Sequence, residues 1–323
     1  MRVLAGDIGG TKTDLRLYTG PSRSQLTVER QARFESHAFS GLTPILGEFL
    51  HGERVDAAGF GVAGPVINGV CHTTNLPWLV TVGDLEKVLA TSHCALLNDV
   101  QAAALGIALV SEERKVWLQR APIDSSAPVE LVSLGTGFGR SFVIPGVGAF
   151  ATESGHANFA PRNAIERRLL QFLTERFDPV AIEHVLSGPG VYTLYQFIVQ
   201  EGLSPATAQF EIDAADDRSA AVGRLGVRDL DPASSAAIGL FVDLLGSELG
   251  NVALATIPRG GLYLWGGVAL KLRAAIEEGH LMDAFLDKHL MGDLLRTIPV
   301  ALLDEPDLGI LGALSGALNV LPG

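Results

Sequence analysis

Five short segments of this chain bring together residue types that do chemistry. The first is Asp7-Ile8-Gly9-Gly10-Thr11-Lys12-Thr13. Paired glycines let backbone N–H groups approach a phosphate where a Cβ would obstruct. Thr11 adds a hydroxyl, Lys12 a mobile positive charge, and Asp7 stands just ahead of the turn, where it can hold Mg²⁺ through water. The same residues also fit a plain tight hairpin. They do not form a P-loop, because no Gly-Lys-Ser/Thr leads into a helix, nor a dinucleotide fingerprint, because the next element reads as a strand. The second segment, Leu134 to Gly139, alternates Gly135, Gly137 and Gly139 around Thr136, a second nest for an anion or a second hairpin.

The third segment is Leu96-Leu97-Asn98-Asp99. A carboxylate at the carboxyl end of a buried strand lies where α/β folds place ligands. Asp99 can accept a hydroxyl proton and Asn98 can hold a neighbouring hydroxyl; alternatively, either residue only caps the helix that follows. The fourth, Glu153-Ser154-Gly155-His156, sets an acceptor and a donor three residues apart, which suits a polyol better than a metal, since no Cys or His cluster lies nearby. A loop hydrogen bond is the plainer alternative. In the fifth, Glu183 precedes Ser187-Gly188-Pro189-Gly190, a strong turn signal. Glu183 can reach back to the same pocket or stay solvated, and His184 reads as a surface residue.

The elements that must position these residues alternate between strands and helices, an α/β class. Val3 to Ala5 and Thr13 to Leu17 read as strand–turn–strand, the latter with period-2 alternation. Leu131 to Ile144 repeats the pattern, and Gly59 to Val66 is a shorter echo, so the chain reads as an internal duplication. Helices are expected behind Thr43-Pro44 as cap and first residue, over Val82 to Ala90, over Val100 to Val110, behind Asp231-Pro232 to about Ala255, and over Leu308 to Leu321. Leu262 to Leu264 is a buried strand closed by Gly266 and Gly267. Glu201 to Asp231 gives no clear pattern.

Composition narrows the class. The 323 residues, at roughly 100–200 per domain, favour two domains. A net charge of −12 and the absence of a basic stripe argue against nucleic acid as a partner. Mean hydropathy is +0.29, yet the longest apolar run, around Ala236 to Ile257, contains Asp243, Glu248 and Asn251 and reads as a buried helix, so no membrane partner is expected. Two cysteines, Cys71 and Cys94, rule out a disulfide scaffold and a four-cysteine zinc site. Asp7 interrupts the first apolar run, so no export signal is seen, and a cytoplasmic chain with free thiols is expected.

In order along the chain, the first phosphate loop, Thr73 to Trp78 (TTNLPW), LLND, LGTGFG, ESGHANFAP, EHVLSGPG, LYLWGGVA and DLGILGA resemble the bacterial glucokinase family of the hexokinase/actin-like ATPase superfamily. The resemblance runs from about residue 3 to 316. It implies a two-lobed, actin-like ATPase fold (duplicated ribonuclease H-like) with a cleft between the lobes. The small lobe is expected at 1–108, completed by 306–323, and the large lobe at 109–305. It implies ATP-dependent phosphorylation of glucose at the 6-hydroxyl, with Mg²⁺, in a homodimer. Asp99 would be the general base, and Asn75, Asn98, Glu153, His156 and Glu183 would hold the sugar. Asp7, Gly9, Gly10, Thr11 and Lys12 would form one phosphate loop and Gly135, Thr136 and Gly137 the other, with Gly266 and Gly267 beside the adenosine.

Two departures from the family pattern stand out. Lys12 and TTNLPW have the look of the related ROK sugar kinases and repressors, but the ROK cysteine motif is missing beyond Cys94, and Ser154 stands where Gly is usual. A kinase for another hexose or N-acetylhexosamine, a polyphosphate-using glucokinase, a sugar-sensing repressor and an actin-like ATPase are the alternatives. A repressor would need a DNA-binding segment ahead of the phosphate loop, and with six residues before Asp7 that reading is not the expected one.

Overall fold

A computed structural model describes residues 1–278 and 280–322. The chain divides into two compact units. One comprises Met1–Arg114, Ser141–Ala151 and Glu305–Gly323; the other comprises Lys115–Arg140 and Thr152–Asp304.

The first unit is built on a five-stranded sheet, in the order Thr27–Glu35, Lys12–Thr19, Arg2–Ile8, Ala57–Val62, Cys94–Asn98. The first three strands pair antiparallel and the last three run parallel. Burial explains the difference. Ala57–Val62 is buried at every position, as a central parallel strand covered on both faces must be. Lys12–Thr19 keeps the polar and buried alternation legible in its sequence. The C-terminal helix Leu308–Asn319 packs against this sheet and against the helix Asp99–Gly106. Its small residues have a purpose there. A Cβ on Gly312 would stand 1.7 Å from the Ala102 carbonyl oxygen, so the two helices meet backbone to backbone.

The second sheet runs Gly148–Thr152, Phe138–Ile144, Val129–Leu134, Gly261–Trp265, Val300–Leu303, Lys115–Gln119. Its core gathers around the helix Pro232–Thr256, whose Phe241, Leu245 and Leu249 are fully buried. That helix is long and apolar enough to cross a membrane, but 67% of its most apolar window is buried inside the unit, as befits a core helix. Its start is as expected: Asp231 caps it, accepting from the Ser234 N–H at 2.9 Å, with Pro232 in the first turn.

Several local expectations change. The helix near Thr43 begins at Leu42 and is preceded by Gly41, with no side-chain cap. Pro44 is accommodated in the first turn, where an N–H has no helical partner. The Gly59 to Val66 echo is no hairpin: Val66–Ile67 pairs with Val70–His72 in a separate three-stranded sheet. The Ser187-Gly188-Pro189-Gly190 turn is instead a helix start. Ser187 Oγ accepts from the Gly190 N–H at 3.1 Å, and the helix Gly188–Gln200 follows. The unassigned stretch forms the helices Gln209–Asp213 and Arg218–Val227.

Candidate active site

In the first unit the parallel strands deliver their functional residues in one row. Ile8 pairs with Val62 and Val62 with Asn98, so the Gly9–Thr11 turn, the Ala63-Gly64 segment and Asp99 all leave the same edge of the sheet. This is the carboxyl edge, where ligands of α/β sheets bind.

The Asp7 carboxylate is half-buried, and a Cβ added at Gly309, in the first turn of the C-terminal helix, would come within 2.7 Å of it. Burial pushes Asp7 up to about 6; the negative charges of Asp99 and Asp14 add to this and Arg33 opposes it. Asp7 and Asp99 therefore sense each other. In the turn itself, the Gly9 N–H donates to the Lys12 carbonyl at 2.9 Å, so that group is engaged in closing the hairpin. A Cβ on Gly10 would meet Asn75 Cβ at 2.7 Å, which is how Asn75 reaches the turn. Thr11, Lys12 and Asn75 are exposed. Asn75 rides on a loop stiffened by Thr73, whose hydroxyl donates to the Leu76 carbonyl at 2.7 Å, and by the buried Trp78, whose indole N–H donates to the Phe39 carbonyl.

Asn98 and Asp99 divide the roles that sequence left open. Asn98 is the cap: its Oδ1 accepts from the N–H groups of Val100 and Gln101, and its Nδ2 donates to the Gly64 carbonyl at 3.1 Å. Asp99 is the first helical residue, half-buried, with Oδ1 accepting from the Val100 N–H at 2.9 Å. Sequence reasoning missed Gln101. It closes a capping box by accepting from the Asn98 N–H, and its Nε2 donates to the Ala149 carbonyl at 2.7 Å. The Asn-x-x-Gln spacing was a signal for it.

In the second unit, the Gly135 N–H donates to the Gly137 carbonyl at 3.1 Å, and the Gly188 N–H to the Gly135 carbonyl at 2.8 Å. The helix start behind Ser187 thus docks on the second glycine turn. Glu183, on a 3₁₀ turn, lies close over the same segment: a Cβ on Gly137 would stand 2.9 Å from its Oε2. Its Oε1 is 3.3 Å from His156 Nδ1, with side-chain exposures of 29% and 65%. Glu153 is exposed at the start of the Ser154–His156 turn, and its carbonyl accepts from the His156 N–H. Structure therefore joins His156, Glu183 and Gly137. His184 is half-buried: it stacks on Phe177 at 3.8 Å and accepts from the Ala181 N–H.

A cavity of about 960 Å³ opens beside this turn, lined by Gly135, Thr136, Gly188 and Gly267. Gly266 is not among its walls. It holds φ at +112°, pressed against the Leu134 carbonyl, and starts the short helix Gly267–Lys271. The far wall comes from Ala215 to Arg228, within the stretch whose sequence gave no pattern. That volume lies within the range of small-molecule sites.

Each unit thus carries a glycine turn, and the first adds carboxylates on a strand edge, on an actin-like ATPase fold of the kind that sugar phosphotransferases use. A glucokinase family model matches residues 4–319. The chain is 36% identical to the glucokinase of Trichormus variabilis over 332 positions, covering 96% of this chain and 97% of that one. It is 29% identical to that of Caulobacter vibrioides, covering 96% and 93%. The crystal structure of a glucokinase from an Antarctic psychrotroph superposes with a TM-score of 0.86 at 25% identity, covering 98% and 99%. A ROK family glucokinase from Streptomyces griseus, solved with glucose and AMPPNP, shares the fold at a TM-score of 0.65 and 18% identity, covering 99% and 100%. The chain belongs to the glucokinase family.

Proposed function

We propose that this protein transfers the γ-phosphoryl group of ATP to the 6-hydroxyl of glucose, giving glucose 6-phosphate and ADP, with Asp99 as the base. The observation that carries the reading is the strand edge at Ile8, Val62 and Asn98, which brings a glycine turn, Asn75 and two carboxylates together. Phosphoryl transfer asks mainly for positioning and charge neutralisation. As the O6–phosphorus bond forms, Asp99 takes the hydroxyl proton, and the bond from the γ-phosphorus to its bridging oxygen breaks to leave ADP. The family resemblance assigns the ring hydroxyls to Asn75 and one N–H of Asn98 in the first unit and to Glu153, His156 and Glu183 in the second. The turns at Gly9–Lys12 and Gly135–Gly137 hold phosphates, and Gly267 borders the nucleoside, with Gly266 shaping the turn behind it.

Asp7 fits a cation. Its carboxylate is raised to about 6 by burial and two like charges, an environment short of positive charge. Among the described residues, no three His, Cys, Asp or Glu gather around a possible metal site. Mg²⁺ would thus be held by Asp7 through water and by the nucleotide's phosphates, and it would neutralise phosphate charge. The family resemblance extends the proposal to a homodimer in the cytoplasm, which sedimentation and cell fractionation test.

ADP release from the purified protein, followed across a panel of sugars and donors, tests the reaction. Glucose with ATP is expected to give the highest kcat/KM; sugar-independent ATP hydrolysis, or preference for an N-acetylhexosamine or for polyphosphate, would overturn the assignment. Gly137→Ala tests the sugar contacts. The new methyl would stand 2.9 Å from Glu183 Oε2, so the Glu183 carboxylate must shift from its position over the turn. Losing one hydrogen bond of about 1.4 kcal/mol raises KM for glucose about tenfold. An unchanged KM would remove Glu183 from the sugar site.

A further inference from the structure

We infer that Ser36 is a positioning residue for the first phosphate loop, holding the loop's carbonyl oxygens away from the anion so that its N–H groups face it. The inference rests on the phosphate role proposed above for Gly9–Lys12.

Ser36 lies 23 residues beyond Thr13, at the end of the strand Thr27–Glu35, and is fully buried. It grips the turn twice. Its Oγ donates to the Gly9 carbonyl at 2.9 Å, and its backbone N–H donates to the Thr11 carbonyl at 2.9 Å. The third carbonyl, that of Lys12, is taken by the Gly9 N–H. Three carbonyls of the turn are thus engaged within the protein.

In a trans peptide, the C=O and the N–H of the next residue point opposite ways. Anchoring the Gly9 and Thr11 carbonyls on Ser36 therefore turns the N–H groups of Gly10 and Lys12 away from it. A hairpin that merely needed closing has its bond in Gly9 to Lys12. The second grip acts on the polarity of the turn. Left loose, the Gly9 carbonyl would be free to rotate toward the phosphate and repel it. Preorganised N–H dipoles bind an anion best when they need no reorientation.

The direction of the hydroxyl bonds follows. A serine hydroxyl has one hydrogen. Ser36 gives its hydrogen to the Gly9 carbonyl, so at the 3.0 Å contact with Thr13 the donor is Thr13 Oγ1. Thr13 is also fully buried. The relay runs Thr13 hydroxyl, Ser36 hydroxyl, Gly9 carbonyl.

Steady-state kinetics of Ser36→Ala and Thr13→Val, each with a thermal melt, test this. Ser36→Ala keeps the backbone bond to Thr11 but frees the Gly9 carbonyl. KM for ATP is expected to rise about tenfold, the size of one lost hydrogen bond. KM for glucose should stay within about twofold. Thr13→Val leaves the bond to Gly9 in place, and its KM for ATP should rise about two- to fourfold. A folded Ser36→Ala with KM for ATP within twofold of wild type overturns the inference, as does an equal rise in both KM values. Should Ser36→Ala not fold, Thr13→Val decides alone, and an unmoved KM for ATP overturns it. A wild-type chain that releases no ADP with any sugar instead removes the phosphate reading itself.

Discussion

Asp99→Asn is expected to lower kcat for glucose phosphorylation by about 10²–10⁴, with the dissociation constant for glucose changed less than about threefold. The size follows from what the substitution leaves in place. Asn98 caps the helix through its own Oδ1, so the helix start does not depend on residue 99 being acidic. Asp99 Oδ1 accepts from the Val100 N–H at 2.9 Å, and an asparagine oxygen can accept the same bond. Shape and cap survive while proton affinity is lost. An internal control comes with the variant: Asp99 is one of the charges that raise Asp7, so its removal should let the Asp7 pKa fall. Turnover by ADP release and glucose binding by calorimetry separate the two effects. Retention of more than a tenth of wild-type kcat would remove Asp99 as the base.

What the sequence revealed divides along local and long-range physics. The glycine hairpins, the Asp231-Pro232 helix start and the strand closed by Gly266 were legible because turns and caps are written in neighbouring residues. Ser187-Gly188-Pro189-Gly190 reads as a turn, where the structure has a helix start, for a related reason. A serine cap with Pro in the first turn uses the same residue types as a turn, and what decides is the Gly188 N–H meeting the Gly135 carbonyl 53 residues away in sequence. The stretch before Asp231 carries no clear pattern because its helices are short and are tied from outside. The buried Asp231 carboxylate accepts from the Thr207 N–H and hydroxyl and the Ala208 N–H, a fastening no periodicity encodes. That stretch then forms a wall of the large cavity. The small residues of the last helix were visible, but their partner was not; the contact between Gly312 and Ala102 exists only once the sheet is assembled. Ser36 had no signal for the same reason. At the site, residue types and spacing left Asp99 open between base and cap, and resemblance to the family supplied the roles. The structure assigns the cap to Asn98 and leaves the Asp99 role to the kinetics above.

Asp7→Asn is expected to stabilise the unliganded protein at pH 8 while lowering kcat/KM by about 10² or more. Asp7 is raised from 3.8 to about 6 by burial, with Asp99 and Asp14 adding to it. A raised carboxylate means that the native state binds the proton more tightly than the unfolded chain does. The associated stability is fully present below the unfolded pKa near 3.8 and is lost as pH rises through about 6. At pH 8 the folded protein therefore carries an ionised carboxylate that its surroundings disfavour. A shift of that size corresponds to at most about 3 kcal/mol, and about 1–2 kcal/mol once the water reaching a half-buried group is counted. Asparagine removes the charge and keeps the shape. The gain over wild type should be full above pH 7, shrink through pH 6 and vanish near pH 4, where Asp7 is protonated in the native protein. Denaturant unfolding of both proteins at pH 4, 6 and 8, without nucleotide or metal, measures it. The loss of activity has the same origin. A carboxylate kept in an environment that raises its pKa is one that a divalent cation can stabilise, whereas a neutral amide gives that cation no charge to meet. Asp7 at this strand edge thus trades stability for function. Equal stability of the two proteins at pH 8 would show that the charge is already compensated in the folded state, and that the case for a cation at Asp7 fails with it.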